Sequence, residues 1–236
     1  MLRKVEREEL KKALEQRTGS EQLDFSDCLF VDMDLSEWDL SNINFDRSDF
    51  RKVNLSGANL SGCTTRNAYF QTSVLKNIDF QNADISSGDF RYCDLSGANI
   101  SGANVYSAAF QGANLNGIIA DENTQYFYPR CPMEGAFIGW KVCFGRRIVQ
   151  LLIPRDARRL QGTRHEIRVD KAYVLSVRNA DYTEEYEEAH AYVDENFVYR
   201  KAHWVTVDAY DTDRFTDSGA GIHIWMDRDA AIAYLG

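Results

Sequence analysis

Apolar residues recur at every fifth position along the first half of the chain. Counting in fives from Phe25, eighteen of the nineteen positions up to Leu115 are apolar, and Thr65 is the exception. A helix with a period of about 3.6 residues, or a strand with a period of two, would scatter these side chains over several faces. The five-residue unit must therefore itself be the structural repeat, which predicts a stacked repeat architecture.

Phenylalanine and leucine segregate within this pattern with a period of twenty residues. One column contains Phe30, Phe50, Phe70, Phe90 and Phe110, and another contains Leu35, Leu55, Leu75, Leu95 and Leu115. A bare five-residue repeat does not require this segregation. It indicates four units per coil, with residues twenty apart stacked on one another and these ten side chains in the core.

A small residue and a polar one precede most of the apolar positions. Ala58 and Ala98 are examples of the small residue, and Asp94 and Asn99 are examples of the Asp or Asn that follows it. With units such as DLSGA and NISGA, the segment from about residue 22 to 117 resembles the pentapeptide-repeat family. The resemblance implies a right-handed quadrilateral β-helix, that is, a four-sided solenoid.

The first coil differs from the later ones because its small positions hold bulky side chains, namely Leu23, Met33, Trp38 and Ile43. These bulky side chains must be covered by something other than a regular neighbouring coil. The preceding segment REELKKALEQ has apolar residues at helical spacing, and Gly19 follows its end. We therefore expect a capping helix within residues 1–20 that protects the open strand edges of a repeat domain at 21–120. The alternative is a free helix that binds a partner.

Two positions that elsewhere hold outward Asp or Asn are occupied by Tyr69 and Val74. A local distortion that the repeat tolerates explains this departure. The alternative is a patch that contacts a partner, and it makes Tyr69 a candidate protein-binding residue.

The five-residue period ends after Gly117, and residues 121–236 are predicted to form a separate, mainly β domain of the α+β type. The segments FIGWKVCF and RIVQLLIP flank Gly145 and Arg146, which predicts a hairpin with a two-residue type II′ turn. Alternating apolar residues predict further strands near 167–177 and 222–226. Asp227 is expected to cap a short helix close to the end of the sequence.

Several segments of this second half, including CPMEGAFIGWKVC and GAGIHIWMDRDAAIAY, resemble an uncharacterised domain that follows pentapeptide repeats in bacterial and phage proteins. That family tends to place a cysteine shortly before its Gly-Ile-His, where this chain has Ser218 and Gly219. The resemblance carries no known reaction. It implies an architecture and a bacterial or phage origin.

The composition restricts the environment of the protein. No run of roughly 18 apolar residues is present, so we expect no contact with a membrane. The N-terminal segment lacks the apolar stretch of a signal peptide, which predicts a cytoplasmic protein. Five cysteines without a CxxC pair predict free thiols, and we expect neither a metal site nor a cofactor.

The net charge of −9 is concentrated in the repeat, where residues 21–118 contain thirteen acidic and six basic side chains. The candidate protein-binding acidic residues near the start of the repeat are Asp32, Asp34, Glu37, Asp39, Asp46 and Asp49. The resemblance extends to pentapeptide proteins that imitate duplex DNA and bind DNA gyrase. DNA mimicry, directed at gyrase or another nucleic-acid-binding protein, is therefore one alternative, although those proteins end in a short dimerisation helix instead of a large β domain.

Residues 141–171 carry nine basic and three acidic side chains. The candidate anion-binding residues are Arg146, Arg147, Arg155, Arg158, Arg159, Arg164 and Arg168. Guanidinium groups suit phosphate or nucleic acid as a ligand. The alternative is that this basic stretch faces the acidic residues of segment 181–195 in the same domain.

Catalytic chemistry has weak support in this sequence. Cys131, Glu134 and the histidines show no motif spacing, although His203 and His223 lie in predicted strands and can converge. The leading hypothesis is a non-catalytic scaffold that binds an unidentified protein partner. An uncharacterised activity of the C-terminal domain, and binding of nucleic acid or phosphate there, stay open.

Overall fold

The computed structural model of the chain describes residues 2–19, 21–216 and 218–234. Residues 1, 20 and 236, which are predicted boundaries of the capping helix and the C-terminal domain, lie outside the described residues. The chain is mainly β and divides into two compact units. The repeat unit comprises Met1–Tyr128 with Phe215–Asp217, and the C-terminal unit comprises Pro129–Arg214 with Ser218–Gly236.

Short parallel strands open the repeat unit. They are β1 (Arg3–Lys4), β2 (Leu23–Asp24), β3 (Cys28–Val31), β4 (Ile43–Asn44) and β5 (Asp49–Arg51). β1 pairs with β3, β3 with β5, and β2 with β4. Further along, single parallel bridges join residues twenty apart, from Asp34 with Asn54 to Asn99 with Ile119. Each twenty-residue segment therefore lies on the one before it.

The phenylalanine column forms a continuous stack in the repeat core. Ring centroids of successive members are 4.7 Å apart between Phe50 and Phe70 and 5.0 Å apart between Phe70 and Phe90, which matches the spacing of paired strands. The leucine column is equally buried except at its end, where Leu115 is only partly buried. Leu115 belongs to the last repeats, and fewer units stack on it there.

The turns of the repeat explain its glycine and asparagine positions. The residue two places after each central apolar residue has a positive φ throughout residues 27–117, except at Thr72. Gly97, at φ 70°, shows why glycine suits this place, because a Cβ there would lie 2.2 Å from Oδ1 of Asn77 in the coil below. A β-branched threonine strongly disfavours this conformation, so the turn at Thr72 differs from all the others.

A helix covers the bulky first coil. α1 (Arg7–Gln16) corresponds to the segment REELKKALEQ. Leu10 is fully buried, and Ala13 and Leu14 pack against the same core cluster as Trp38. Trp38 contacts the helix through Arg7, whose guanidinium group lies over the Trp38 ring, whereas Leu23 and Ile43 pair with each other across successive coils.

The C-terminal unit contains antiparallel sheets and a short helix. Its elements are β6 (Phe137–Cys143), β7 (Arg147–Ile153), β8 (Arg159–Leu160), β9 (Ile167–Val169), β10 (Lys171–Arg178), β11 (Glu188–His190), β12 (Val198–Arg200), β13 (Trp204–Thr206), β14 (Ile222–Ile224) and α2 (Arg228–Ala233). One sheet has the order β13-β10-β7-β6, a second has β14-β9-β8, and β11 pairs with β12. The predicted cap of α2 is confirmed, because the Asp227 side chain accepts a hydrogen bond from the Ala230 amide.

The predicted type II′ turn between β6 and β7 is wrong. Three residues, Phe144–Arg146, connect the strands as a short 3₁₀ turn. Gly145 has φ 69° and ψ 21°, whereas the first central residue of a type II′ turn needs a ψ near about −120°. Arg146 also has a positive φ, of 55°. Both residues are left-handed because Cys143 pairs with Arg147, which leaves three residues to reverse the chain.

Candidate functional site

The face of the repeat around Tyr69 combines an exposed aromatic ring with regularly spaced charged pairs. We call it the Tyr69 face and define it by side chains of the stacked units centred on Phe50, Phe70 and Phe90, namely Asp49, Arg51, Tyr69, Gln71, Arg91, Tyr92 and the buried Asp89. Tyr69 is 54% exposed and Tyr92 is 71% exposed. Backbone bridges join Tyr69 to Asp49 on one side and to Asp89 on the other. Tyr69 therefore lies midway between two carboxylates.

Each of these carboxylates holds an arginine two residues further on. Nη2 of Arg51 lies 2.6 Å from Oδ2 of Asp49, and Nη2 of Arg91 lies 2.5 Å from Oδ2 of Asp89. Gln71, between the arginines, donates a hydrogen bond of 2.8 Å to Asp89. These pairs hold two guanidinium groups on the surface, one coil on either side of Tyr69.

The unusual turn lies within this same face. Thr72 follows Tyr69 by three residues, and its hydroxyl accepts a hydrogen bond from the Lys52 amide in the coil before. Val74, the second departure from the repeat pattern, is 46% exposed on the adjoining unit. The departures from the repeat sequence, the altered backbone turn and the exposed apolar side chain thus coincide at one place in the repeat.

Most acidic residues near the start of the repeat hold the fold together. Oδ1 of Asp34 accepts hydrogen bonds from the Ser36 amide and hydroxyl and from Asn54 one coil further on, and the bonds from Ser36 lower the pKa of this carboxyl group. Asp39 has the same environment, with Ser41 and Asn59 as donors. Asn–Asp contacts of this kind also link later coils.

The other acidic candidates differ in exposure. Asp46 is buried, and Arg66 donates to it from both its backbone amide and its guanidinium group. Asp32 and Glu37 are exposed at left-handed turn positions. Of the predicted protein-binding residues, the structure brings Asp49 and Tyr69 together on one face. Asp46 and Asp49 have close arginine partners, whereas Asp32, Asp34, Glu37 and Asp39 are exposed.

The seven arginines of the C-terminal candidate site do not form a single patch. Arg159 is 6% exposed, and its guanidinium group donates to the carbonyl oxygens of five residues, namely Pro132, Gly135, Pro154, Arg155 and Ala157. Arg168 is also buried and donates to the Asp213 carbonyl at 2.6 Å. The hydrogen bonds of these two buried side chains hold loops in place, so neither guanidinium group can reach a ligand on the surface.

The remaining arginines of this set are more accessible. Arg158 pairs with Asp170 at 2.8 Å, and Arg147 donates to the Glu188 carbonyl while its guanidinium group lies over the Tyr186 ring. The predicted contact with segment 181–195 is thus made by Arg147 within this set. Arg146, Arg155 and Arg164 are exposed.

The catalytic candidates have separate environments. His203 lies before β13, where its ring contacts the Lys201 carbonyl. The Cys131 thiol is buried beside Met133. His223, in β14, has its Nδ1 3.4 Å from a carboxylate oxygen of Glu166. No hydrogen bond or ion pair between described residues joins Cys131, His203 and His223.

A polar cluster that the sequence did not indicate surrounds His223. Nζ of Lys141 donates to the His223 carbonyl at 3.1 Å, and the lysine side chain lies on the core face of β6. Burial lowers the pKa of Lys141, and the hydrogen bond with His223 lowers the pKa of Glu166. The alternation of inward and outward positions along β6 could have revealed the buried lysine, because Lys141 falls between the inward positions Gly139 and Cys143.

In the ranges that the structure describes, no three His, Cys, Asp or Glu side chains are grouped as a metal ion requires. No helix among the same residues has the length and apolarity to cross a membrane. All five cysteines are free and buried.

The stacked segments of twenty residues define the chain as a repeat protein. Residues 43–119 match the family described as a pentapeptide repeat region, and residues 127–231 match a family of unknown function, DUF5758. The chain therefore combines a pentapeptide repeat with a C-terminal DUF5758 domain, which confirms both resemblances. No significant match to a curated protein sequence was found.

Solved pentapeptide repeat proteins resemble part of the chain. One from the thylakoid lumen of Arabidopsis thaliana is 26% identical, with a TM-score of 0.33, over 42% of this chain and 69% of the other. Rfr23 of the cyanobacterium Cyanothece 51142 is 20% identical, with a TM-score of 0.26, over 44% and 87%. The plasmid-mediated fluoroquinolone resistance protein QnrB1 is 23% identical, with a TM-score of 0.26, over 39% of this chain and 49% of QnrB1. These similarities do not specify a function.

Proposed function

We propose that this chain is a non-catalytic scaffold that binds a partner protein through the Tyr69 face. In this proposal the repeat forms a right-handed quadrilateral β-helix, and the parallel bridges between residues twenty apart support that geometry. The observation that carries the binding proposal is the exposed Tyr69 ring between the Asp49–Arg51 and Asp89–Arg91 pairs.

The chemistry of this face suits a protein interface. Tyrosine and arginine, together with tryptophan, are the residue types most enriched among those that dominate binding free energy. Because the acidic partners already orient Arg51 and Arg91, these side chains lose little conformational entropy when a partner binds. The stacked coils also hold the backbone rigid, so binding needs no ordering of a loop.

A binding function also agrees with the environments of the reactive side chains. The thiol of Cys131 is buried, His203 is exposed next to a backbone carbonyl, and His223 is engaged with Glu166. An enzyme needs such groups within reach of one substrate atom. We accordingly propose that neither unit requires a cofactor. Separately, we keep the proposal that the protein and its partner are cytoplasmic.

The test is quantitative capture from nuclease-treated lysate of the source cells, with the full-length chain and its Tyr69→Asn variant as baits. Asparagine and aspartate are the usual residues at this repeat position, so the variant should keep the fold, which circular dichroism checks. We expect the affinity for the captured protein to fall by about thirtyfold, since a dominant interface residue contributes 2 kcal/mol or more.

Tyr106→Ala is the matched control, because Tyr106 is also partly exposed on the repeat, at 37%, and lies outside the Tyr69 face. This variant should bind as tightly as the natural chain. Equal capture by the natural chain and the Tyr69→Asn variant would reject the Tyr69 face as the binding surface.

A further inference from the structure

Four apolar side chains form a row across the four-stranded sheet of the C-terminal unit. The register places Ile138 opposite Leu152, Leu152 opposite Tyr173, and Tyr173 opposite Trp204. The row lies on the face opposite the buried core, because the intervening residues Leu151 and Val174 point into that core. Ile138, Leu152 and Tyr173 are partly buried, whereas Trp204 is 56% exposed.

The row ends at the open edge of the sheet. β13, which carries Trp204, is the outermost strand in the order β13-β10-β7-β6. No strand of the described residues pairs with its other side. The Trp204 ring lies 5.2 Å from the Tyr173 ring at an angle of 64°. Thr206, at the end of β13, is exposed as well.

The hydrogen-bond pattern shows which backbone groups point outward. The Val174 amide donates to the His203 carbonyl at 2.9 Å, and the Val207 amide donates to the Asp170 carbonyl at 3.0 Å. In an antiparallel pair, hydrogen-bonded positions alternate with positions whose backbone groups point away. The N–H and C=O groups of Trp204 and Thr206 therefore face the open edge, whereas those of Val205 face β10.

We propose that the edge of β13 binds an extended segment of a partner protein by strand addition. The outward N–H and C=O groups of Trp204 and Thr206 match the backbone of an extended peptide. In the new strand, the residue opposite Trp204 continues the apolar row, so the segment carries an apolar side chain there and apolar residues at alternate positions.

The dimensions favour a peptide over a second copy of the chain. A stable dimer buries about 800 Å² on each partner. β13 contains three residues, and two of them offer backbone groups at the edge. An edge this short suits a segment of a few residues. The site lies within the C-terminal unit, so it stands independently of the Tyr69 face.

The experiment selects binders from a displayed library of random twelve-residue peptides on the full-length chain. We expect enriched peptides with apolar residues at alternate positions. Their affinity should fall at least about tenfold for Thr206→Pro, which removes one edge donor, and for Trp204→Thr, which removes the apolar contact. Edge strands tolerate proline where the amide faces solvent, and Thr206→Ala keeps the donor as the control.

Amide hydrogen exchange of the full-length chain then locates the bound peptide. An enriched peptide should slow exchange at Trp204 and Thr206 by at least about tenfold while leaving Val205 unchanged, because the Val205 amide already bonds to β10. Failure to enrich any peptide, or equal binding to the natural chain and Thr206→Pro, would overturn the proposal. Protection at Trp204 that grows with protein concentration alone would overturn it in favour of a second copy.

Discussion

The ring centroids of Phe50 and Phe70 lie 4.7 Å apart, and the two ring planes are 9° from parallel. Phe90 continues the stack on the other side of Phe70, at 5.0 Å. A ring in the middle of this column contacts neighbours both above and below, so removing it leaves a cavity that the rigid coils cannot close.

We therefore expect Phe70→Ala to lower the free energy of unfolding by about 3–5 kcal/mol. Urea unfolding followed by circular dichroism measures the loss. Phe70→Leu is the control, because leucine fills other columns of the same repeat and should cost less than about 1.5 kcal/mol. Losses of similar size for both variants would show that the cavity does not determine the effect.

Thr65, the polar exception in the apolar series, is expected to be a weak point of the fold. It is fully buried, and its hydroxyl has no hydrogen-bond partner. An unsatisfied buried hydroxyl costs free energy, so Thr65→Val should raise the free energy of unfolding by about 1 kcal/mol. The same urea titration measures this gain.

Ser48 provides the comparison for Thr65, because it is equally buried but bonded. Its hydroxyl donates to the Phe25 carbonyl at 2.8 Å and accepts from the Cys28 amide at 3.0 Å. Ser48→Ala should therefore lower the free energy of unfolding by about 1 kcal/mol. A loss of stability in Thr65→Val would contradict the assignment of Thr65 as unsatisfied.

Arg159 is expected to stabilise the C-terminal unit and not to bind anions. Its five hydrogen bonds to carbonyl groups hold two loops together, and Arg159→Lys cannot replace them, since an ammonium group lacks the planar fork of donors. We expect Arg159→Lys to lower the free energy of unfolding by about 3 kcal/mol. Urea unfolding of the C-terminal unit measures this loss. Exposed Arg155→Ala should change stability by less than about 0.5 kcal/mol. Comparable effects of the two substitutions would argue against this role.

Buried thiols give the protein a specific sensitivity to alkaline pH. Burial raises the pKa of Cys63 and of Cys93 from 9.0 to about 12. Between these values the unfolded chain has lost the protons that the folded chain keeps, so the free energy of unfolding falls as pH rises. Each thiol contributes a slope of up to about 1.4 kcal/mol per pH unit.

Urea titrations between pH 8 and pH 11 test this prediction against the double variant Cys63→Ala/Cys93→Ala. Alanine is the usual residue at both repeat positions, so the variant should fold. Its stability should decline less steeply above pH 9 than that of the natural chain. Identical slopes would mean that the alkaline loss comes from other groups.

The repeat and the place of its main departure from the pattern could be predicted from the sequence alone. The five-residue period and the twenty-residue columns are readable because each coil repeats the same short contacts, and α1 and the Asp227 cap depend on neighbouring residues alone. Tyr69 was identifiable as an aromatic residue at a position for Asp or Asn. The flanking Arg51 and Arg91 carried a signal too, since they lie forty residues apart, two coils in this repeat.

The roles of the charged residues and of the C-terminal surface depend on contacts that form only in the folded chain. The local excess of basic residues did not distinguish buried Arg159 from exposed Arg155, because the carbonyl groups that bind Arg159 come from separate loops. Likewise, the row that ends at Trp204 exists only once β6, β7, β10 and β13 pair in register. Strand register is set by contacts between distant parts of the chain, and no local period in the C-terminal half encodes it.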